Sequence, residues 1–266
     1  MPEDVREQYK TPANLSARAA LHARFSTSSM GWPPWVFDHI RERLPDTARI
    51  LEAGCGPGGL WAENADRVPA GWKLTLTDFS EGMVKRAREN TIKAGLDAEC
   101  VHADIQDLPF DTGAFDAAIA NHMLYHVPDI HRGLTEIKRV LAPEGILFAA
   151  TNGDGHMREL YDLCRAYSPG TEVKRDQLTK RFRLEGGREI LRRHFSHVER
   201  IDYPCDLRVD EAGPIVDYVC SMAGMDVGVE PIIRERERFL KFLEARVRSE
   251  GPIHISKIVG MFVAHD

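Results

Sequence analysis

The stretch Glu52-Ala53-Gly54-Cys55-Gly56-Pro57-Gly58-Gly59 follows a short apolar run that begins at Ile50. The run predicts a strand, and the pattern from Leu60 to Val68 predicts a helix. Glycines at such a turn let the backbone approach a ligand closely, and the helix N-terminus adds free N–H groups and positive potential. The stretch therefore predicts either a site for a nucleotide or carboxylate, or a tight turn that only packs strand on helix.

Strands and helices continue to alternate after this turn. Further strands are predicted at 73–79, 99–105, 115–120 and 146–151. Ser80 and Asp129 are placed to cap the helices between them, and Gly95 is placed to end the first of these helices. Such alternation predicts an α/β fold with a doubly wound, mostly parallel sheet covered by helices on both faces.

The flanking regions carry weaker patterns. Helices are predicted at 13–29, 36–44, 156–167, 177–195 and 232–248, strands at 198–208 and 253–264, and a rigid aromatic turn at 31–35. We therefore expect three parts: an N-terminal helical lead-in or lid at 1–48, a core at 49–208 and 251–266, and a helical cap at 209–250 inserted before the last strand.

Composition excludes several classes of protein. The chain has 266 residues, of which 43% are hydrophobic and 29% charged, as in an ordinary globular protein. A net charge of −6 disfavours a nucleic-acid partner. No apolar run approaches the ~20 residues of a membrane span, and the charged N-terminus does not resemble a signal peptide. Five scattered cysteines without a C-x-x-C pair favour a reducing cytoplasm and indicate no metal site.

Carboxylates follow the next two predicted strands. Asp78 lies 24 residues after Gly54, where a carboxylate can accept hydrogen bonds from both hydroxyls of a ribose. Phe79 beside it could cover an adenine ring. Asp104, at the end of the third strand, could accept a hydrogen bond from the amino group of a base. Since the carboxyl ends of successive parallel strands meet at one edge, these residues together predict a nucleotide site.

The glycines also match G-x-G-x-x-G through Gly54, Gly56 and Gly59, so an NAD(P)-dependent oxidoreductase is an alternative. Three features disfavour it. A pyrophosphate does not need a glutamate two residues before the first glycine, and a carboxylate after the third strand has no standard role there. In addition, no tyrosine is followed by a lysine four residues later.

With these motifs, residues 49–152 resemble the core of class I S-adenosylmethionine-dependent methyltransferases, in the branch of quinone-biosynthesis and natural-product enzymes. The resemblance implies a seven-stranded Rossmann-like sheet whose last strand is antiparallel. It also implies S-adenosylmethionine as cofactor, with S-adenosylhomocysteine as product. The implied cofactor-binding residues are Glu52, Gly54, Gly56, Gly58, Asp78, Phe79, Met83, Asp104, Ile105 and Asn121.

The segment after the fourth strand, from Asn121 to Asp129, lacks the Asn-Pro-Pro-Tyr pattern of enzymes that methylate exocyclic amines in DNA. This departure favours a small-molecule acceptor. The resemblance to the family implies methylation by in-line displacement, at oxygen or carbon rather than nitrogen. The candidate catalytic residues are His126, Tyr125 and His122, and the candidate substrate-binding residues are Tyr9, Trp32 and Trp35. His122 and His126 are four apart and would share a helix face, but we expect no metal there. A module that binds the cofactor without catalysis is a further alternative.

Overall fold

The computed structural model describes residues 12–174, 178–224 and 227–266. Contacts divide the chain into two compact units. We call residues 32–154, 181–203 and 259–266 the sheet unit, and residues 1–31, 155–180 and 204–258 the helical unit. This division cuts across the three parts expected from the sequence, whose boundaries stay a prediction.

The strands run in chain order as follows: β1 (Thr47–Ala53), β2 (Gly71–Asp78), β3 (Ala98–His102), β4 (Phe115–Asn121), β5 (Leu141–Asn152), β6 (His197–Asp202), β7 (Leu207–Val209), β8 (Ile253–Ile255) and β9 (Val259–His265). The sheet unit holds a seven-stranded sheet of order β3-β2-β1-β4-β5-β9-β6. Strands β1 to β5 pair in parallel, and β9 pairs antiparallel with both β5 and β6. The predicted fold class is confirmed.

The helices are α1 (Pro12–Phe25), α2 (Trp32–Arg43), α3 (Gly59–Ala62), α4 (Glu81–Lys93), α5 (Ile130–Val140), α6 (Arg158–Tyr167), α7 (Gly187–Leu191), α8 (Ala212–Cys220), α9 (Glu230–Arg234) and α10 (Arg236–Glu250). Short 3-10 turns lie at Ala65–Arg67, Leu124–His126 and Leu178–Arg181. Within the described residues, no helix is both long and apolar enough to cross a membrane.

Burial explains why the central strands form. Ile50 and Leu51 of β1 and Ala117 and Ala118 of β4 have no exposed surface, as expected of parallel strands covered on both faces. Asp129 caps α5 as predicted, because its carboxylate accepts a hydrogen bond from the Arg132 N–H at 3.0 Å. Because β1 to β4 pair in parallel, their carboxyl ends share one edge of the sheet.

The helical unit has an apolar core of its own. Leu21 of α1, Leu160 of α6, Ile215 of α8 and Leu243 of α10 are all fully buried in one cluster. Strands β7 and β8 pair as a separate two-stranded sheet in this unit.

Several predicted elements are wrong in extent. Each of the strands predicted at 198–208 and 253–264 is two strands, because 203–206 and 256–258 leave the ladder. The helix predicted at 177–195 is a 3-10 turn at Leu178–Arg181 and the single helix α7, and Gln177 lies outside the described residues. The aromatic turn predicted at 31–35 is the first turn of α2, in which Pro33 and Pro34 occupy positions that tolerate proline.

Candidate functional site

The glycine loop after β1 adopts a conformation that favours glycine. Gly54, Gly56 and Gly58 have φ angles of +66°, +55° and +74°. A Cβ on Gly54 would lie 2.8 Å from the Met123 Cβ, so the loop passes close to the segment after β4. A Cβ on Gly56 would meet no atom within 4 Å. The predicted loop is therefore packed against the protein at Gly54 and open at Gly56.

Asp78 ends β2 and is held by two backbone amides. The Gly56 N–H donates to Oδ2 at 2.9 Å, and the Ser80 N–H donates to Oδ1 at 2.8 Å. Burial raises the pKa of Asp78, while these two N–H donors and the nearby His102 act in the opposite direction. Each carboxylate oxygen keeps acceptor capacity beyond its single bond. Asp78 is thus oriented by the glycine loop and can still bind hydroxyl groups.

Phe79, next to Asp78, is an exposed large apolar side chain, with 37% of its surface accessible. The imidazole Nε2 of His102 lies 2.8 Å from the Phe79 carbonyl oxygen. Met83, on the following helix α4, is buried. An exposed phenyl ring beside an oriented carboxylate offers a flat apolar face to a ring of a ligand.

Glu52, two residues before Gly54, is buried, with 2% of its surface exposed. The Trp61 indole N–H on α3 donates to its Oε2 at 2.7 Å. Burial raises the pKa of Glu52 from 4.5 to about 8, and the negative charge of Asp78 adds to the shift while the Trp61 bond opposes it. Glu52 thus ties β1 to α3, a contact with Trp61 that the sequence did not indicate.

Asp104 lies two residues beyond the end of β3, so the strand predicted to reach 105 is shorter. Its carboxylate accepts from the Gln106 backbone N–H at 2.9 Å and from the Gln106 Nε2 at 3.1 Å. Gln106 Oε1 in turn accepts from the Asp129 N–H at 3.1 Å. Ile105 between them is buried. Gln106 therefore links the loop after β3 to the segment after β4, a role that sequence reasoning missed.

The segment after β4 combines an unsatisfied polar atom with backbone strain. Asn121 Oδ1 is buried and has no hydrogen-bond partner among the residues that the structure describes. His122 has a φ of +54°, which is uncommon for a residue with a side chain. Its N–H donates to the Ala150 carbonyl at 3.1 Å, which holds this conformation in place. Such features concentrate at ligand-binding sites.

Tyr125 and His126 belong to the 3-10 turn Leu124–His126. Tyr125 is buried, His126 is half-buried, and their rings lie 4.5 Å apart. His122 precedes this turn in a left-handed conformation, so the prediction that His122 and His126 share a helix face is wrong. In the described part of the chain, no three His, Cys, Asp or Glu side chains are grouped so that they could hold a metal ion.

Aromatic rings gather beside His122. We call Trp32, Trp35, His39, His122 and Tyr203 the aromatic cluster. The Trp32 ring lies 5.0 Å from His122, 5.1 Å from Trp35 and 5.3 Å from Tyr203. Trp35 also contacts His39 at 4.5 Å and Tyr203 at 5.2 Å. The structure thus brings two of the predicted substrate residues together.

Tyr9, the third predicted substrate residue, lies outside the described residues. Tyr203 was missed because it comes from the chain beyond β6, and no local motif marks it.

Comparisons with known proteins match the central region of this chain to methyltransferases. Residues 51–149 match the family model described as a methyltransferase domain. A malonyl-[acyl-carrier protein] O-methyltransferase from Geobacter sulfurreducens is 34% identical over 121 residues, which cover 46% of this chain and 45% of that protein. A ubiquinone biosynthesis O-methyltransferase from Xanthomonas axonopodis is 34% identical over 120 residues, which cover 44% of this chain and 49% of that protein. The chain thus spans about half the length of these relatives.

Solved structures share the fold across nearly the whole chain. A methyltransferase from Thermotoga maritima described as dependent on S-adenosylmethionine superposes with a TM-score of 0.53 at 16% identity, covering 97% of this chain and 98% of that one. A [4+2]-cyclase superposes with a TM-score of 0.60 at 20% identity, covering 97% of this chain and 93% of that one. At such low identity these similarities show the fold alone, and the cyclase illustrates that one fold hosts different reactions.

Proposed function

We propose that this chain, whose residues 51–149 form a class I S-adenosylmethionine-dependent methyltransferase domain, transfers a methyl group to a small organic acceptor. The observation that carries the proposal is the arrangement at the end of β2. Asp78 is oriented by the Gly56 and Ser80 amides and lies beside the exposed Phe79 ring. A ribose and an adenine need that combination of a carboxylate and a flat apolar face.

The residues present fit the cofactor. In our proposal Asp78 binds the ribose hydroxyls, Phe79 and Met83 flank the adenine, and the side chain of Asp104 with the amide of Ile105 binds the adenine edge. The open space above Gly56 leaves room for a ligand to approach the loop backbone. The buried Asn121 Oδ1 needs a hydrogen-bond donor, which the cofactor ammonium would supply. Glu52 bonds to Trp61 of α3, so the strand before the glycine loop is tied to the helix after it.

When bound, S-adenosylmethionine supplies an electrophilic methyl group that an acceptor atom takes by in-line displacement. The protein contributes position and a dry environment. His126, Tyr125 and His122 stay the candidates for accepting a proton from the acceptor. The ring of His122 lies 5.0 Å from the ring of Trp32. Oxygen or carbon is our preferred methylation site, and the two relatives described above, which are O-methyltransferases, support oxygen.

An NAD(P)-dependent oxidoreductase is not favoured, because the family match is to a methyltransferase domain.

We also expect a cytoplasmic protein without a nucleic-acid partner. All five cysteines are free thiols, which agrees with a reducing compartment.

The test is a calorimetric titration with S-adenosylmethionine, S-adenosylhomocysteine and the nicotinamide dinucleotides. We expect both sulfur nucleotides to bind, and Asp78→Ala to weaken them about 100-fold, because two hydrogen bonds to a charged carboxylate contribute about 3 kcal/mol. Asp97→Ala is the matched control, since Asp97 is an exposed carboxylate just before β3. Binding of a dinucleotide alone would overturn the proposal.

A further inference from the structure

We propose that the methyl acceptor is a flat conjugated ring that carries an oxygen atom, and that Trp32 selects it through its ring face and its indole N–H. This inference rests on the proposed function and deepens it by naming the acceptor class. Trp32 would be a specificity-determining residue of the sheet unit, next to the segment after β4.

The strongest observation is an unused hydrogen-bond donor. The Trp32 Nε1 atom is buried and has no partner among the residues that the structure describes. Two other tryptophans show how this protein satisfies such a donor. Trp61 Nε1 donates to Glu52 at 2.7 Å, and Trp72 Nε1 donates to the Pro45 carbonyl at 2.7 Å. A buried donor without a partner is rare and costs about 1–3 kcal/mol, so a bound ligand with an acceptor atom is the natural partner for Trp32.

The surroundings of Trp32 indicate what kind of ligand this is. Trp35 stacks on Trp32 with an angle of 27° between the rings, and Tyr203 meets Trp32 edge-on at 78°. Trp35 and Tyr203 are buried, whereas Trp32 itself is half-buried. The inner rings thus hold the indole in one orientation. Trp32 is then a rigid aromatic surface, which favours offset or edge-on contacts with another ring.

The location of the cluster connects it to the proposed cofactor site. His122, whose ring lies 5.0 Å from Trp32, directly follows Asn121 at the carboxyl end of β4. Met123, the next residue, packs against Gly54 of the glycine loop. The aromatic cluster and the loop therefore meet on the same three-residue segment, so a ring bound at Trp32 lies near the methionine end of the cofactor in our proposal.

The polarity of the unused group distinguishes two classes of ligand. Aromatic clusters also bind organic cations through their ring faces. An indole N–H, however, is a donor only, and it repels a cation while it attracts a carbonyl, ether or phenol oxygen. The unpartnered Nε1 therefore favours an oxygen-bearing ring over a quaternary amine. A site built to hydrogen-bond one polar atom discriminates strongly against analogues that lack it.

Three matched probes test both parts of the inference: acetophenone, α-methylstyrene, which replaces the carbonyl oxygen with a methylene group, and cyclohexyl methyl ketone, which lacks the aromatic ring. Each is titrated by ligand-observed NMR into the complex with S-adenosylhomocysteine, together with the cation trimethylphenylammonium. We expect acetophenone to bind about tenfold more tightly than the other three, which corresponds to about one hydrogen bond or one ring contact.

The variant Trp32→Phe keeps a ring and removes the N–H. We expect it to weaken acetophenone about tenfold and to leave α-methylstyrene within about twofold. Trp72→Phe is the matched control, because the Trp72 N–H is bonded to a protein carbonyl. Binding of S-adenosylhomocysteine is measured for every variant to show that the site is folded.

The outcomes separate the two proposals. If S-adenosylhomocysteine does not bind the unmodified protein, the proposed function fails. If it binds but the four probes bind equally or not at all, the acceptor inference is wrong and the proposed function stands. Preferential binding of the cation, or an unchanged acetophenone affinity in Trp32→Phe, also overturns the acceptor inference.

Discussion

The two halves of the sheet edge differ in how their polar groups are satisfied. The first half comprises the glycine loop after β1 and the ends of β2 and β3, where the carboxylates of Asp78 and Asp104 already accept hydrogen bonds from backbone amides. After β4, Asn121 Oδ1 lies buried without a partner in the described part of the protein. The same is true of the indole nitrogen of Trp32, whose ring contacts His122. In our proposal, the first half is therefore organised before a ligand binds, whereas the second half is completed by a ligand.

The contact between the two halves at Gly54 should have the largest effect on stability. Gly54→Ala would place a Cβ 2.8 Å from the Met123 Cβ and would also strain a φ of +66°. We expect the free energy of unfolding to fall by about 3 kcal/mol, from left-handed strain and overpacking together. Chemical denaturation measures this.

Gly95→Ala serves as a control that separates the strain of a left-handed backbone from the collision of a new Cβ with its neighbours. Gly95 has a φ of +75°, but a Cβ there would meet no atom within 4 Å. We expect a loss of about 1 kcal/mol for strain alone. Equal losses at Gly54 and Gly95 would show that Met123 adapts, and that the two halves are not packed rigidly against each other.

Glu52 makes the organised half sensitive to pH. Because burial raises its pKa from 4.5 to about 8, the folded protein holds a proton that the unfolded chain releases. The contribution of Glu52 to stability is therefore complete below about pH 4.5 and is lost as the pH rises through about 8. In that window the free energy of unfolding should fall by about 1.4 kcal/mol per pH unit.

Glu52→Gln tests this contribution, because an amide stays neutral and can still accept from Trp61. Between about pH 6 and about pH 8 the variant should lose about 2 kcal/mol less stability than the unmodified protein. Denaturation curves at the two pH values measure the difference. Glu99→Gln, which alters an exposed glutamate on β3, should keep the original slope. An unchanged slope in Glu52→Gln would assign the pH dependence to other groups.

The organised half is also the part that could be predicted from the sequence. The glycine loop and Asp78 follow β1 and β2, each of which holds a run of four buried residues. Asp104 follows the edge strand β3, and its place at the end of a predicted strand marks it, rather than burial of that strand. The aromatic cluster could not be predicted, since Trp32 and Tyr203 are 171 positions apart in the sequence and meet only through the fold. The contact between Trp61 and Glu52 spans only nine positions, but no periodic pattern indicates it.

The errors in strand length have a physical cause as well. Tyr203, Cys205, Leu207 and Val209 are all buried, so the alternating pattern of one strand continues where the ladder breaks. Pro204, which has no N–H to donate, lies in the break. In the segment 177–195, predicted as one helix, a Cβ on Gly187 would lie 2.5 Å from the Phe262 ring. Close packing against that ring therefore requires glycine at this position. Neither the break at Pro204 nor the close contact at Gly187 changes the spacing of apolar residues from which strands and helices are predicted.

Gln106 offers a way to disturb the link between the halves without a collision. Gln106→Ala removes the side-chain bonds to Asp104 and to the Asp129 N–H. We expect S-adenosylhomocysteine to bind about five- to tenfold more weakly, because Asp104 loses the partner that orients it. Calorimetry measures the affinity. An unchanged affinity would indicate that the Gln106 backbone N–H alone is sufficient to orient Asp104.

Asp129→Ala should have the smallest effect of these substitutions, and it should change stability where Gln106→Ala changes ligand affinity. Its carboxylate caps α5 through the Arg132 N–H at 3.0 Å, whereas its backbone N–H bonds Gln106 Oε1. Asp129→Ala removes the cap and keeps the backbone bond, so the free energy of unfolding should fall by about 1 kcal/mol while the affinity for S-adenosylhomocysteine stays the same. Asp129→Asn, which can still cap, should recover most of the stability. If Asp129→Ala weakened the ligand as much as Gln106→Ala, the position of α5 rather than the Gln106 bond would connect the two halves of the edge.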